Sequence, residues 1–340
     1  MTARPSARPS RRAAAPARPA TLRLAAALAA GALLVTGCSS SGGDGPDDAA
    51  APSPETSSSA PSTSPSTSPS TSPGSTADAG EGSGDFPRYV ALGDSYTAAP
   101  LVPDTDPQDG CLRSTGNYPS LVAAAIDGTA LTDVSCSGAT TTSLVGVQET
   151  FDGQARPAQF DALTEDTDLV TLGMGGNDFN LFATLIGRCG QLAAEDPEGS
   201  PCEDADLVKD NVFRQIRGQL AAALTGVLDR SPDARVLAVG YPQILPAEGT
   251  CPDRIDLAVG DYPYARDLNE RLDAAVEGAA KDAGVDFVDA FAATEGHDLC
   301  AEDPWINGRT TLEDEALAYH PLAAEQEAVA AEVLAVLGQD

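Results

Sequence analysis

Five short apolar runs constrain this chain more than any other feature: Arg88 to Gly93, Ala130 to Ser135, Asp168 to Gly173, Arg235 to Gly240 and Val285 to Asp289. Each is strand length, and three of them stop at a glycine, a turn signal. Between them lie stretches with helical patterning: Tyr118 to Ile126, Asp178 to Ile186, Leu207 to Leu228 and Ala265 to Ala283. An Ala-rich stretch, Pro321 to Leu337, closes the chain. Strands that alternate with helices predict a parallel sheet covered on both faces, because parallel neighbours need a crossover connection. Right-handed crossovers then give a doubly wound, three-layer α/β/α sandwich. In such a sheet the strand C-termini share one edge, where crevices form. Ser95 follows the first run, Gly138 the second and Asn177 the third.

The sandwich does not occupy the whole chain. Met1 to Leu24 carries six Arg and no acid, and Ala25 to Thr36 is a short apolar segment. This is the pattern of a secretory signal, and the apolar part is too short for a comfortable transmembrane helix. Val35-Thr36-Gly37-Cys38 looks like a bacterial lipobox, so residues 1–37 are read as a lipoprotein-type signal peptide with Cys38 as the acylated residue. An ordinary signal peptide with an incidental Cys is the competing reading. Cys38 is the odd member of seven Cys, which favours lipidation. The pair Arg11-Arg12 could suggest a twin-arginine signal, a weak indication in so Arg-rich a leader. Residues 38–85 repeat Ser, Thr, Pro, Gly, Ala and acids, a composition that cannot bury a core and predicts a disordered tether. Residues 86–340, about 255 in number, suffice for one α/β domain. The expected location is outside the cell, either anchored to the outer face of the membrane through lipidated Cys38 or secreted.

Removing the leader's six Arg from the 20 basic residues leaves 14 against 51 acids, a formal charge near −37. Phosphate binding needs a basic surface, so nucleic acid is excluded as a natural partner. Six Cys remain in the domain, an even number that reads as a disulfide framework in an exported chain. They allow 15 pairings. With no Cys-x-x-Cys and two His in the chain, a metal site is the poorer reading, and no cofactor is expected.

Four short blocks carry candidate chemistry: Gly93-Asp94-Ser95-Tyr96, Ser137-Gly138-Ala139, Gly175-Gly176-Asn177-Asp178 and His320-Pro321. Taken singly, each has a plain structural explanation. Asp94, Ser95, Asn177 and Asp178 suit helix caps, Gly138 suits a turn, and His320 suits a helix start. As an ordered set they resemble the SGNH/GDSL hydrolases, in particular the secreted three-disulfide esterases, from about Phe86 to the C-terminus. The first block ends in Tyr96 rather than Leu, a departure read as lying outside the chemistry.

The resemblance implies a flavodoxin-like five-stranded sheet of order 2-1-3-4-5. It also implies sequential disulfides, Cys111–Cys136, Cys189–Cys202 and Cys251–Cys300. Ser95 would be the nucleophile and His320 its base, since a Ser hydroxyl needs a neighbouring base near neutral pH. The Ser95 N–H, the Gly138 N–H and the Asn177 amide would form the oxyanion hole. His297 is read as structural or surface. Many relatives place an Asp three residues before the His, where this chain has Leu317. The expectation is therefore a Ser-His dyad with the Leu317 carbonyl orienting the imidazole, and Asp314 or Glu313 as alternatives. The implied activity is hydrolysis of carboxylic esters through an acyl-enzyme, by a monomer, on a lipid, a small ester or an acylated polysaccharide. A non-catalytic surface binding protein on the same scaffold is the alternative, against which the four intact blocks argue.

Overall fold

A computed structural model describes residues 85–339. The leader, Cys38 and the tether as far as residue 84 lie outside the described residues. The central sheet holds β1 (Arg88–Gly93), β2 (Ala130–Asp133), β3 (Leu169–Gly173), β4 (Arg235–Val239) and β5 (Asp286–Val288). Its order is β2-β1-β3-β4-β5, with every neighbouring pair parallel. The chain therefore reverses its direction of travel between β1 and β3, the place where an open parallel sheet leaves a crevice. β1 and β3 run in register with Gly93 opposite Gly173, so both strands end at one level.

Alternate residues of each strand enter different layers, because side chains in a strand alternate between faces. Val90, Leu92, Val170, Leu172, Val236 and Ala238 share one core with the helices α3 (Asn211–Arg230) and α4 (Tyr262–Ala283). Their contact faces recur every three or four residues, as in Phe213, Ile216, Leu220, Leu224 and Val227. Tyr89, Ala91, Leu169, Leu237, Val239 and Val288 share the other core with α2 (Tyr118–Ala125) and α5 (Ala323–Leu337). The result is the three-layer α/β/α sandwich that the alternation predicts. A four-residue helix, α1 (Ser95–Ala98), directly follows β1.

Two helices depart from the sequence expectation. Residues 178–193 do not form one regular helix. Phe179 and Asn180 have φ of 55° and 56°, which turns the chain before a helical segment whose middle, Thr184–Arg188, is a π turn. The last helix begins at Ala323, not Pro321, because Pro321 pairs with Ile306 in an isolated bridge and Leu322 is extended. His320 thus sits in a loop upstream of α5. The six domain Cys are bonded as Cys111–Cys136, Cys189–Cys202 and Cys251–Cys300. Among the described residues no helix is long and apolar enough to cross a membrane.

Candidate active site

The site is built outward from the end of β1. Asp94 leaves the strand with its N–H on the Gly173 carbonyl (3.0 Å) and caps α1 by accepting the Tyr96 N–H (2.9 Å). This places Ser95 first in the helix, where a backbone N–H has no partner inside the helix. Asp94 is fully buried, and its second oxygen accepts the Tyr241 hydroxyl. That hydroxyl in turn accepts the Gly176 N–H at 2.7 Å. Asp94 is therefore more than a cap, since it links the first block to the third through Tyr241. Burial pushes its carboxyl up to about 7, against the lowering effect of the Tyr241 and Tyr96 bonds.

Gly138 follows the Cys136 staple. Ser137 donates its N–H to Cys111 O (3.1 Å) and Ala139 donates to Cys136 O (3.0 Å), a tight turn that puts Gly138 at φ 79°. Among the described residues its own N–H has no protein partner, so it is free to donate to a ligand. Asn177 comes after Gly175 and Gly176. A Cβ on Gly176 would lie 2.0 Å from the Phe182 ring, so the ring packs on the bare backbone of a glycine and would have to move for any other residue. The Asn177 amide donates one hydrogen to Ala139 O at 3.0 Å, which fixes its orientation and leaves its second hydrogen available. Asp178 is buried and accepts the Thr141 hydroxyl (2.7 Å) and N–H, tying the third block to the loop after the second.

His320 corrects the sequence reading in one particular. Its Nδ1 is 2.8 Å from the Ala318 carbonyl, not the Leu317 carbonyl. Leu317 O instead accepts the His320 N–H (3.1 Å) and the Asn307 amide (3.1 Å), so the turn that closes at Leu317 uses that oxygen up. A carbonyl accepts only, so Nδ1 carries the ring proton and Nε2 keeps its lone pair. Glu313 and Asp314 are exposed, and neither bonds to the ring. Desolvation holds the imidazole below its ordinary pKa, partly offset by the Ala318 carbonyl.

Ser95, Gly138, Asn177, Leu317 and His320 all line one cavity of about 410 Å³. Tyr96, Phe151, Phe182, Ala183 and Ile186 complete a mainly apolar wall. Phe151 is 81% exposed, an unusual position for a large apolar side chain unless something apolar covers it. His297 does not line this cavity. It stacks on Trp305 at 3.6 Å between ring centroids, a structural arrangement. Among the described residues no cluster of three or more His, Cys, Asp or Glu could hold a metal ion.

Sequence reasoning passed over three polar residues that fix the site. Gln159 is buried and bonds both backbone groups of Gly93 (2.9 Å each). Tyr241 joins Asp94 to Gly176. Gln326 donates to the Tyr96 carbonyl (3.1 Å) and accepts the Tyr118 N–H (2.7 Å).

Comparison with known proteins gives a consistent result. The family model described as "GDSL-like Lipase/Acylhydrolase family" matches residues 91–328. "Lipase 2" of Streptomyces coelicolor is 40% identical over 264 residues, covering 74% of this chain and 86% of that protein. "Lipase" of Streptomyces rimosus is 32% identical over 241 residues, covering 70% and 82%. Among solved structures, phospholipase A1 from Streptomyces albidoflavus superposes with a TM-score of 0.60 at 30% identity, covering 74% of this chain and 98% of that one.

Proposed function

The chain belongs to the GDSL-like lipase/acylhydrolase family and is a carboxylic ester hydrolase, and from that premise we propose that it acts through an acyl-enzyme on Ser95. The single observation that carries this reading is the gathering of Ser95, Gly138, Asn177 and His320 around one cavity from three strand ends and a distant loop. The Ser95 Oγ attacks the ester carbonyl carbon while His320 Nε2 takes its proton. The carbonyl π bond opens, and the new oxyanion is met by the Ser95 and Gly138 N–H groups and the free hydrogen of the Asn177 amide. Each such donor is worth about 3–4 kcal/mol of transition-state stabilisation. Collapse breaks the ester C–O bond, and Nε2–H protonates the departing alcohol. Water then repeats the sequence on the acyl-Ser95 and releases the acid.

The apolar wall formed by Phe151, Phe182 and Ile186 favours esters with an apolar acyl chain over small acetyl esters. The names of the Streptomyces lipases and of the phospholipase A1 point the same way for this chain. The leader and lipobox support an exported enzyme, tethered through acylated Cys38 or released. Mass spectrometry of the mature N-terminus decides between these two forms.

The mechanism is tested with Ser95→Ala and a series of p-nitrophenyl esters. The wild type should hydrolyse them and take up one fluorophosphonate label on Ser95. The variant should fold and lose both properties. Equal turnover by Ser95→Ala would remove the assignment.

A further inference from the structure

We infer that Tyr96, the residue after the nucleophile, is a positioning residue for the catalytic base, tying the nucleophile's helix to the loop that presents His320. The inference rests on the acyl-enzyme reading above and adds to it a residue that the reaction sequence itself does not use.

Tyr96 is held at both backbone ends: its N–H donates to Asp94 (2.9 Å) and its carbonyl accepts the Gln326 amide (3.1 Å). Its ring stacks on Phe182 (5.4 Å) and takes an edge contact from Tyr241 (5.3 Å). It also meets the His320 imidazole at 5.5 Å between ring centroids, tilted by 34°. Its hydroxyl donates to the Tyr319 carbonyl at 2.9 Å. Tyr96 therefore grips the base twice, once at the ring and once at the peptide that precedes it.

That peptide needs an external hold. Tyr319 has φ of 62°, a left-handed conformation that residues with a side chain adopt only under constraint. Most of the surrounding hydrogen bonds come from the same region of chain. Tyr319 N–H donates to Gly308 O (3.0 Å), His320 N–H to Leu317 O (3.1 Å) and Asn307 N–H to His320 O (2.9 Å). The ring's own Nδ1 bond reaches back two residues, to Ala318. Leu317 N–H also reaches across the chain, to Pro100 O (3.0 Å) beyond the end of α1, whereas the bond from Tyr96 comes from the residue adjacent to Ser95, 223 positions away. It sets the base relative to the nucleophile rather than relative to its own loop. A leucine at 96 has neither a donor nor an aromatic face. The two departures seen in the sequence, Tyr96 and the missing acid before His320, thus meet at one imidazole. The Ala318 carbonyl holds its Nδ1, and the Tyr96 ring packs against it.

The test compares Tyr96→Phe, which removes only the hydroxyl, with Tyr96→Leu, which also removes the aromatic face. Turnover of a p-nitrophenyl ester should fall about tenfold in kcat for the first and about a hundredfold for the second, with KM within about twofold, as expected for loss of alignment. Each variant is also made in the His320→Ala background and scored by the rate of fluorophosphonate labelling at Ser95. With the base gone, Tyr96→Phe should change that rate by less than about twofold, because a positioning residue has nothing left to position. Wild-type kcat in Tyr96→Phe would overturn the inference. An equal loss with and without His320 would also overturn it, since Tyr96 would then act on the fold or on Ser95. Failure of the wild type to hydrolyse esters or to label at Ser95 would instead strike the acyl-enzyme reading itself.

Discussion

Glu325→Gln should reverse its effect on stability between acid and alkaline solution, and the structure gives the sign and size. Glu325 lies in the first turn of α5 and is 2% exposed. Its Oε2 accepts the Gln326 amide at 2.6 Å. The N-terminal end of a helix favours an anion by about 0.3–1 kcal/mol, which is small beside the cost of desolvating a carboxylate. Burial wins and pushes the carboxyl from 4.5 up to about 8, against the lowering effect of the Gln326 bond. The native state therefore keeps a proton that the unfolded chain releases. The stability this supplies is complete below the unfolded value and is lost as pH rises through the native one. At 1.36 kcal/mol per pKa unit, the span from 4.5 to about 8 corresponds to roughly 5 kcal/mol.

A glutamine cannot ionise, so it escapes that loss. Its oxygen can still accept from Gln326, but its amide brings an extra buried donor, a cost of about 1–2 kcal/mol. The variant should thus be less stable than wild type by about 1 kcal/mol near pH 4.5 and more stable by about 2–3 kcal/mol near pH 8, with the curves crossing between. Urea unfolding followed by the single Trp, Trp305, and by far-UV circular dichroism across this range measures the difference. Asp94 and Asp273, both raised to about 7 chiefly by burial, tilt the wild-type and variant curves alike. The difference curve isolates Glu325. A flat difference curve would refute the reasoning, because it would mean that Glu325 carries the same charge folded and unfolded.

Three further outcomes follow from the site. Asp314→Asn should alter ester turnover by less than about twofold while His320→Ala lowers it by about 10³ or more, because the exposed Asp314 does not bond the ring; comparable losses in steady-state kcat would restore Asp314 as a triad member. Because burial lowers the His320 pKa from 6.5, the acid limb of kcat/KM should rise with pH and have its midpoint below 6.5; a midpoint above that value in the pH–rate profile would contradict the burial argument. Gly176→Ala places a Cβ 2.0 Å from the Phe182 ring and should cost about 1–3 kcal/mol in urea unfolding, with reduced turnover as Asn177 shifts; wild-type stability would show that the ring yields freely.

The sequence disclosed what is repeated or strictly local. β1 and β3 are buried on both faces, so they appear as continuous apolar runs, and the sheet follows from their alternation with helices. The broken helix after Asn177 was not legible, because Phe179 and Asn180 take up left-handed angles with no glycine to announce them. The four blocks were legible as an ordered set. Their supports were not, since Gln159, Tyr241 and Gln326 act on residues 66, 147 and 230 positions away. A polar side chain carries no local sign of so distant a partner. The Ala318 carbonyl was misplaced by one residue for a related reason. Any residue supplies a carbonyl, so only the path of the turn through Leu317 and Tyr319 selects which oxygen faces the imidazole.

If His320 is the base, as proposed, a carbonyl in place of a carboxylate behind it also changes what that base can do. A carboxylate partner would stabilise the imidazolium and raise the pKa of His320, whereas a neutral carbonyl contributes only a dipole. With burial as the larger influence, the ring's pKa is held below the ordinary imidazole value. The cost falls on the transition state, where the imidazolium receives less electrostatic support than in a triad. Geometry must then supply more of the catalysis, since a weaker base gains most from being held at the right distance and angle. The same loop shows that constraint, in the left-handed Tyr319 and its bond from Tyr96. On the proposed acyl-enzyme mechanism, the missing acid and the rigid mounting of His320 are two parts of one solution, in which alignment would do the work that a negative charge does in a triad.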